Sequence, residues 1–226
     1  MTPEFRPFPK MARLSRECYI TEKIDGTNAS IFIEPKPVIG SDISKVTAIT
    51  DDFLIYAGSR TRWITPEDDN FGFAQWVEEH ATELVALGAG HHFGEWWGSG
   101  IQRNYGFKNG ERFFSLFNAG RWASGDDPIG VASVSWDHKT QEMTHKLQER
   151  APACCKVVPV LDRCLFDETY DDVPVADYAL RFLKKYGSVA AAGFMRPEGV
   201  VVYHVAAGIG FKKTLDNDAQ PKGAAR

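Results

Sequence analysis

A lysine followed two positions later by Asp-Gly is the part of this sequence that most directly predicts covalent chemistry. It lies in residues 22–28, which read EKIDGTN, with Lys23 as the lysine. A lysine amine is a nucleophile only when deprotonated, and desolvation or neighbouring cations in a pocket favour that form. Gly26 lets the backbone turn sharply beside a ligand. The alternative is a surface hairpin carrying a lysine and a turn aspartate, because short patterns often arise by chance.

Two segments rich in β-forming residues flank this motif and predict how Lys23 is positioned. Residues 19–23 and 29–33 are predicted strands, and residues 25–28 between them predict a turn. The lysine is therefore expected at the end of a strand, where a pocket can enclose it.

The rest of the chain predicts a mixed fold with many short strands. Residues 46–50 and 53–57 predict a hairpin with a turn at Asp51-Asp52. Further strands are predicted at residues 92–97, 112–118, 156–161 and 199–205. One helix is predicted to begin at residues 65–68 and to end by Gly88, and another to span residues 174–186 with Gly187 as its cap. Residues 120–152 carry no pattern that predicts an element.

Six segments, in this order, resemble the covalent nucleotidyltransferase superfamily of ligases and mRNA capping enzymes. They are Lys23-x-Asp25-Gly26, Ser59-Arg60, Phe93-Gly94-Glu95, Phe113-Phe114-Ser115-Leu116-Phe117, Glu198-Gly199-Val200-Val201 and Phe211-Lys212-Lys213. An unrelated domain would need all of them to occur in order by accident. The resemblance implies an α+β adenylyltransferase domain of largely antiparallel sheets flanked by helices, similar to ATP-grasp proteins.

The residues after Lys23 distinguish branches of this superfamily. DNA ligases typically place Arg five residues after the lysine, whereas Asn28 stands there in this chain. The run Glu-Lys-x-x-Gly-Thr-Asn resembles the RNA ligases that seal nicks in duplex RNA, including the RNA-editing ligases. That resemblance implies ATP-dependent joining of RNA 3′-hydroxyl and 5′-phosphate ends. Lys23 would take AMP from ATP, the RNA 5′-phosphate would receive it as an RNA-adenylate, and the 3′-hydroxyl would displace it.

The resemblance also implies which residues bind the nucleotide. We expect Glu22 and Asn28 to contact the purine, sugar or phosphate, and Arg60 to engage phosphate or ribose. Glu95 is expected at the ribose hydroxyls or in the metal shell. Phe114 is expected to stack on adenine.

The resemblance implies a second set of residues, which bind the metal ion or neutralise the phosphate charge. Glu198 and Asp25 are the expected ligands of Mg²⁺, with Mn²⁺ as an alternative, because these ions prefer oxygen ligands. Lys212 and Lys213 are expected to neutralise the α-phosphate. Family members separate these two lysines by one residue, whereas here they are adjacent and alternate across a strand. Only one should face the site, and we favour Lys212.

Composition and length set the wider expectations. The chain has 226 residues, of which 43% are hydrophobic and 25% charged, and these values predict a soluble, cytoplasmic protein without a membrane segment. One domain over residues 1–226 is expected, since too few residues follow Lys213 for an OB-fold or helical domain. A protein or RNA adaptor is expected to take the place of such a C-terminal domain. The net charge of −4 requires that any RNA contact come from a local cation cluster.

Several alternatives remain open from sequence alone. A DNA ligase or a GTP-dependent capping guanylyltransferase would use the same lysine chemistry, and a non-catalytic nucleotide or RNA-binding module would bind without a covalent adduct. Residues 98–108, with Arg103 and Tyr105, form either an RNA-contacting loop or an ordinary surface loop. Arg62 and Trp63 either contact RNA or pack structurally.

Overall fold

The computed structural model of the protein describes residues 4–37, 43–123, 133–137, 142–146, 150–216 and 218. Its strands are β1 Glu17–Lys23, β2 Thr27–Pro35, β3 Ala48–Ile49, β4 Phe53–Gly58, β5 Trp63–Ile64, β6 Gly90–Gly98, β7 Arg112–Leu116, β8 Ser133–Asp137, β9 Glu142–Lys146, β10 Cys155–Val157, β11 Val160–Leu165, β12 Thr169–Tyr170, β13 Val173–Pro174, β14 Gly199–His204 and β15 Ile209–Thr214. Its helices are α1 Phe73–Glu79, α2 Ala81–Leu84 with a 3₁₀ turn at Val85–Leu87, α3 Ala119–Trp122 and α4 Val175–Tyr186.

Two sheets contain most of these strands. The four-stranded sheet has the order β11-β1-β14-β15 and is antiparallel throughout. The seven-stranded sheet has the order β10-β7-β6-β2-β4-β3, with β5 paired to β4, and among its described pairings only β10 with β7 is parallel. This mixed α+β architecture of mostly antiparallel strands agrees with the fold class predicted at that level. Within the described residues, no helix is long and apolar enough to cross a membrane.

The predicted strands on either side of the lysine motif belong to different sheets. β1 pairs with β11 and β14, whereas β2 pairs with β4 and β6. The predicted strand, loop and strand are therefore confirmed, but they do not form a hairpin, because residues 24–26 carry the chain from one sheet to the other. A Cβ at Gly26 would lie 2.4 Å from the carbonyl oxygen of Trp96 and 2.7 Å from the Cβ of Trp97. Glycine is required there because the crossing loop lies directly against β6.

Each sheet buries one face in a hydrophobic core. The core of the seven-stranded sheet packs against the helical segment 73–87 and includes Ile31, Phe73 and Trp96. The core of the four-stranded sheet packs against α4 and includes Ile20 and Leu183. The opposite faces of the two sheets line one cleft. Strand alternation therefore decides whether a side chain enters a core or the cleft.

The structure moves the start of the first predicted helix. Thr65 forms a β-bridge with Asp68, and α1 begins only at Phe73. Asp69 takes the capping role, since its carboxylate accepts hydrogen bonds from the backbone N–H groups of Asn70, Ala74 and Gln75. The segment ends before Gly88, as predicted.

The second predicted helix is confirmed as α4, which Gly187 terminates by donating its N–H to the carbonyl of Leu183. The predicted hairpin of β3 and β4 is also confirmed.

The predicted strand over residues 156–161 is divided between the two sheets. β10 joins the seven-stranded sheet and β11 joins the four-stranded sheet. Pro159 lies between them, where it cannot donate a backbone hydrogen bond, and its carbonyl accepts one from the N–H of Glu22 at 2.9 Å. Of the region without a predicted pattern, β8 and β9 form an antiparallel hairpin, while much of the remainder lies outside the described residues.

Candidate active site

A cleft of about 980 Å³ lies between the two sheets, and five of the predicted site residues line it: Glu22, Lys23, Asn28, Glu95 and Lys212. Much of its lining comes from strand positions that alternate with core positions, whereas Leu116 and the α3 residues Ala119 and Trp122 belong both to the lining and to the core of the seven-stranded sheet. The four-stranded sheet contributes Tyr19, Thr21, Lys23, Val201, Tyr203 and Lys212, and the seven-stranded sheet contributes Asn28, His91, Phe93 and Glu95, with Phe117 directly after β7.

Lys23 lies at the end of β1 with its amine directed at a carboxylate. Lys23 Nζ donates a hydrogen bond to Oε2 of Glu198 at 2.6 Å. The two side chains are 20% and 5% exposed. The sheet register produces this contact, because Lys23 pairs with Gly199 across β1 and β14, and Glu198 immediately precedes β14. The structure thus joins two of the predicted site residues.

Glu95 and Asn28 form the facing part of the cleft. They stand directly opposite each other on β6 and β2. Oε1 of Glu95 accepts a hydrogen bond from the backbone N–H of Gly26 at 3.0 Å. Burial raises the pKa of the Glu95 carboxyl to about 7, although the positive charge of Lys23 acts to lower it. The group therefore titrates near neutral pH, where it can accept or donate a hydrogen bond.

The two adjacent lysines of β15 point to opposite faces of the sheet. Lys212 pairs with Val201 and lines the cleft on the same face as Lys23. Lys213 pairs with Val200 and forms an ion pair with Asp177 of α4 at 2.8 Å. Strand alternation therefore directs Lys212, the lysine favoured from the sequence, into the cleft and Lys213 away from it.

The expected stacking residue is also placed differently. Phe114 is fully buried in the core of the seven-stranded sheet, and its ring centroid lies 5.1 Å from that of Phe73. The correction follows from alternation along β7, which points Phe114 away from the cleft. Phe117 and Phe93 line the cleft instead and are 41% and 54% exposed. All three phenylalanines lie in segments that the sequence singles out, but only the sheet register shows that Phe93 and Phe117 face the cleft and Phe114 does not.

Glu22 borders the cleft, but its carboxylate is directed elsewhere. The residue is 1% exposed. Its Oε1 accepts from the hydroxyl of Ser188 at 2.6 Å, and its Oε2 accepts from the N–H groups of Val189 and Ala190 at 2.8 and 2.9 Å. Burial raises the pKa of this carboxyl, while the three donors act to lower it. The side chain thus holds the loop after α4 against β1, and the expected contact with the nucleotide stays a prediction.

Arg103 and Tyr105 hold Asp25 in a set of contacts, the Asp25 brace, that the sequence did not predict. Asp25 Oδ2 accepts from Nε of Arg103 at 3.0 Å, and the backbone N–H of Asp25 donates to the hydroxyl of Tyr105 at 2.8 Å. Arg103 Nη1 also donates to the carbonyl of Arg196 at 2.9 Å. Arg103 and Tyr105 were expected either to contact RNA or to lie in an ordinary loop. They instead tie the lysine motif to the segment that leads to Glu198, and no local sequence pattern signals contacts at this separation.

The Asp25 brace bears on the expected metal site. One oxygen of Asp25 is held by Arg103, and its assignment as a metal ligand stays a prediction. Among the described residues, no group of three or more His, Cys, Asp or Glu side chains is arranged to hold a metal ion. Glu198 is the predicted ligand whose carboxylate lies directly at the Lys23 amine.

The loop between β4 and β5 carries the remaining predicted residue, Arg60. Arg60 is exposed and lies outside the set of residues that line the cleft. Its neighbour Arg62 pairs with Asp68, while Trp63 packs its ring against Tyr56 at a centroid distance of 5.5 Å. For Trp63, the structure favours the packing interpretation.

Comparison with known proteins places this geometry in a family. The family model described as RNA ligase matches residues 16–214. A search of curated proteins gives no match.

Two similar solved structures are point mutants of an RNA ligase from Naegleria gruberi, each with ATP and Mn. Each is 16% identical to this chain, with a TM-score of 0.50 over 90% of this chain and 51% of the solved one, so they share its fold. The chain spans about half the length of these structures. By the family match, which covers most of its length, the chain belongs to the RNA ligase family.

Proposed function

We propose that this chain is the nucleotide-transferring part of an ATP-dependent RNA ligase and that Lys23 carries AMP. The observation that carries the proposal is the lysine amine held 2.6 Å from Glu198 inside a cleft whose same wall presents Lys212. Membership of the RNA ligase family supports ligation as the activity. The ATP and Mn that accompany the structural neighbours support the nucleotide and a divalent metal.

The first step is an in-line displacement at the α-phosphorus of ATP. Lys23 Nζ forms a P–N bond, the bond to the bridging oxygen breaks, and pyrophosphate leaves with the electron pair. Lys23 attacks as the free amine, and Oε2 of Glu198 orients Nζ by accepting its hydrogen bond. Negative charge builds on the α-phosphate oxygens, so catalysis depends on cations and positioning. Lys212 supplies the cation on the same face.

The cleft walls support binding of a purine nucleotide. Phe93 and Phe117 on one wall and Val201 on the other provide an apolar slot for the base. Asn28 and Glu95 then face the sugar or phosphates. With a pKa near neutrality, the Glu95 carboxyl can donate to or accept from a ribose hydroxyl. Arg60, which lies outside the lining in this structure, is proposed to engage phosphate or ribose when the nucleotide is bound.

A divalent cation fits the carboxylate beside Lys23. Glu198 would hold Mg²⁺ or Mn²⁺ together with water and phosphate oxygens, since Mg²⁺ keeps much of its hydration and needs few protein ligands. The ion would neutralise charge on the phosphates. Asp25 stays a predicted second ligand, and its contact with Arg103 positions the loop.

The two remaining steps join the RNA ends. AMP passes from Lys23 to the RNA 5′-phosphate, and the RNA 3′-hydroxyl then attacks that phosphate and releases AMP. We propose a nicked RNA duplex as the substrate, a protein or RNA adaptor as a partner, and the cytoplasm as the location.

Covalent labelling tests the first step. The protein is incubated with Mg²⁺ and ATP labelled at the α-phosphate and separated by denaturing electrophoresis, beside Lys23→Ala and a parallel GTP reaction. A labelled band from ATP that is lost in Lys23→Ala supports the proposal. Labelling from GTP alone would favour a capping enzyme, and no label from either nucleotide would favour a binding module. Sealing of nicked RNA compared with an all-DNA nick then separates RNA ligase from DNA ligase.

A further inference from the structure

Residues 4–16 run over the surface without helix or strand, and all of them are exposed. Large apolar side chains recur at every third position in this segment. Phe5, Phe8, Met11 and Leu14 are 85%, 82%, 83% and 63% exposed. Exposed aromatic rings at this density indicate a surface that contacts another molecule.

The same segment concentrates positive charge. Arg6, Lys10, Arg13 and Arg16 alternate with the apolar residues, and Glu4 is the one acid, so the segment carries a net charge of +3. The whole chain has a net charge of −4. A local cluster of cations interleaved with aromatic rings suits a polyanion that also exposes flat bases.

The base of the segment is fixed at the rim of the cleft. Nε2 of His204 donates to the carbonyl of Leu14 at 3.0 Å, and the N–H of Val205 donates to the carbonyl of Glu17 at 3.0 Å. Val205 and its neighbour Tyr203 both line the cleft. The base of the segment therefore lies beside residues that line the same cleft as Lys23.

We propose that residues 4–16 form a basic arm that binds a single-stranded RNA segment flanking the nicked duplex. Arg6, Lys10 and Arg13 contact phosphates, while Phe5 and Phe8 stack on bases. Single-stranded RNA is the occupant because its unpaired bases are free to stack, whereas duplex RNA shields them. Pro7 and Pro9 restrict the backbone and reduce the entropy lost on binding. This inference rests on the proposed function, which makes RNA the substrate.

The salt dependence of RNA binding tests the phosphate contacts. The full chain is titrated into a fluorescent 5′-phosphorylated single-stranded RNA at several salt concentrations. Each phosphate contact on a single strand contributes about 0.7 to the slope of log K against log salt. The Arg6→Gln, Lys10→Gln, Arg13→Gln variant should therefore lose about two from that slope and bind at least about tenfold more weakly at low salt. The control replaces three exposed cations of α4, as Arg181→Gln, Lys184→Gln, Lys185→Gln.

A second pair of variants tests stacking without changing charge. Phe5→Ser, Phe8→Ser should weaken RNA binding about tenfold with the salt slope retained, because stacking contributes about 1–3 kcal/mol per base. Phe5→Tyr, Phe8→Tyr keeps the rings and should bind as the parent does. All variants should still form the ATP-derived adduct without RNA, because the arm lies outside the catalytic cleft.

Three results would overturn the inference. They are an unchanged salt slope in the arm variant, an equal loss in the α4 control, or a dimer that dissociates in Phe5→Ser, Phe8→Ser with RNA binding intact. Absence of the ATP-derived adduct in the parent protein would contradict the proposed function instead. The two failures are therefore distinguishable.

Discussion

Lys23 is surrounded by partners that come from distant parts of the sequence. Glu198, which accepts its hydrogen bond, is 175 residues away, and Arg103 lies 78 residues from the Asp25 that it holds. The brace fixes the loop after Lys23 and the approach to Glu198 with one guanidinium. The displacement reaction proposed for Lys23 requires a nucleophile that is held in position.

We expect Arg103→Met to slow formation of the lysine adduct by on the order of 100-fold, with little change in ATP affinity. The expected cause is that this variant removes the guanidinium that contacts both Asp25 and the segment before Glu198. Single-turnover labelling together with an ATP binding titration separates the two effects, and Arg103→Lys should recover part of the rate.

The matched control for this variant is Arg112→Met. Arg112 also holds backbone carbonyls, those of Ser99 and Phe71, but it makes no contact with Asp25. Its loss should leave the labelling rate within a few-fold of the parent. A rate in Arg103→Met equal to that in Arg112→Met would remove the positioning role.

The buried carboxyl of Glu95 predicts a pH dependence of stability. Its pKa is about 7 in the fold against 4.5 for the reference carboxyl. Between these values the folded state binds more protons, so its contribution to stability falls as the pH rises from about 4.5 to 7. Glu95→Gln, which keeps an acceptor for Gly26, should be about 3 kcal/mol more stable than the parent at pH 8 and equal to it near pH 4. Urea unfolding at the two pH values measures this, and equal differences at both would contradict the assignment.

At the level of elements, strand alternation separates residues that the sequence pattern treats alike. Lys212 and Lys213 are neighbours in one motif, yet they face the cleft and α4 respectively. Phe114 and Phe117 lie in one aromatic run, yet the first is core and the second lines the cleft. The sequence predicted the elements themselves, including α4 and the β3–β4 hairpin. It did not predict which side chains of the aromatic run point into the cleft and which into the core, because that depends on how the strands pair.

The two lysines give a direct comparison. Lys212→Met should reduce the rate of adduct formation by on the order of 100-fold, because it removes the cation beside the α-phosphate. Lys213→Met should label within a few-fold of the parent and lose under about 1 kcal/mol of stability, since its ion pair with Asp177 is partly exposed. Quantitative labelling of both variants tests this, and greater damage from Lys213→Met would reverse the assignment.

The two phenylalanines provide a second comparison within one aromatic run. Phe117→Ala should weaken ATP binding about tenfold through lost stacking, with only a small change in stability. Phe114→Ala should instead destabilise the fold by about 3–5 kcal/mol, because it leaves a cavity in a packed core. Thermal unfolding and nucleotide titration distinguish them. Stable Phe114→Ala protein that no longer binds ATP would contradict the structural placement.

At the level of the whole molecule, the cleft exists because the chain crosses twice between the two sheets. One crossing follows β1 at Gly26 and the other follows β10 at Pro159. The sequence predicted strands on both sides of the first crossing and one continuous strand across the second. It did not predict either crossing, because local β propensity does not specify which distant strand a segment will pair with.

The motif residues were thus predictable in identity and order, whereas the pairings among them were not. Lys23, Asn28, Glu95 and Lys212 line one cleft, and Glu198 accepts a hydrogen bond from Lys23, while the roles that the resemblance implies for them remain predictions. Glu22, Asp25, Phe114 and Lys213 are used elsewhere by the fold, because long-range hydrogen bonds and sheet register decide their directions.

The most direct test of Lys23 as the nucleophile is mass spectrometry of the purified protein after incubation with ATP and Mg²⁺, followed by peptide mapping. We predict a mass increase of one AMP group, located on the peptide that contains Lys23 and absent in Lys23→Met. An AMP group on another residue, or an unmodified protein that still binds ATP, would contradict the assignment of Lys23 as the nucleophile.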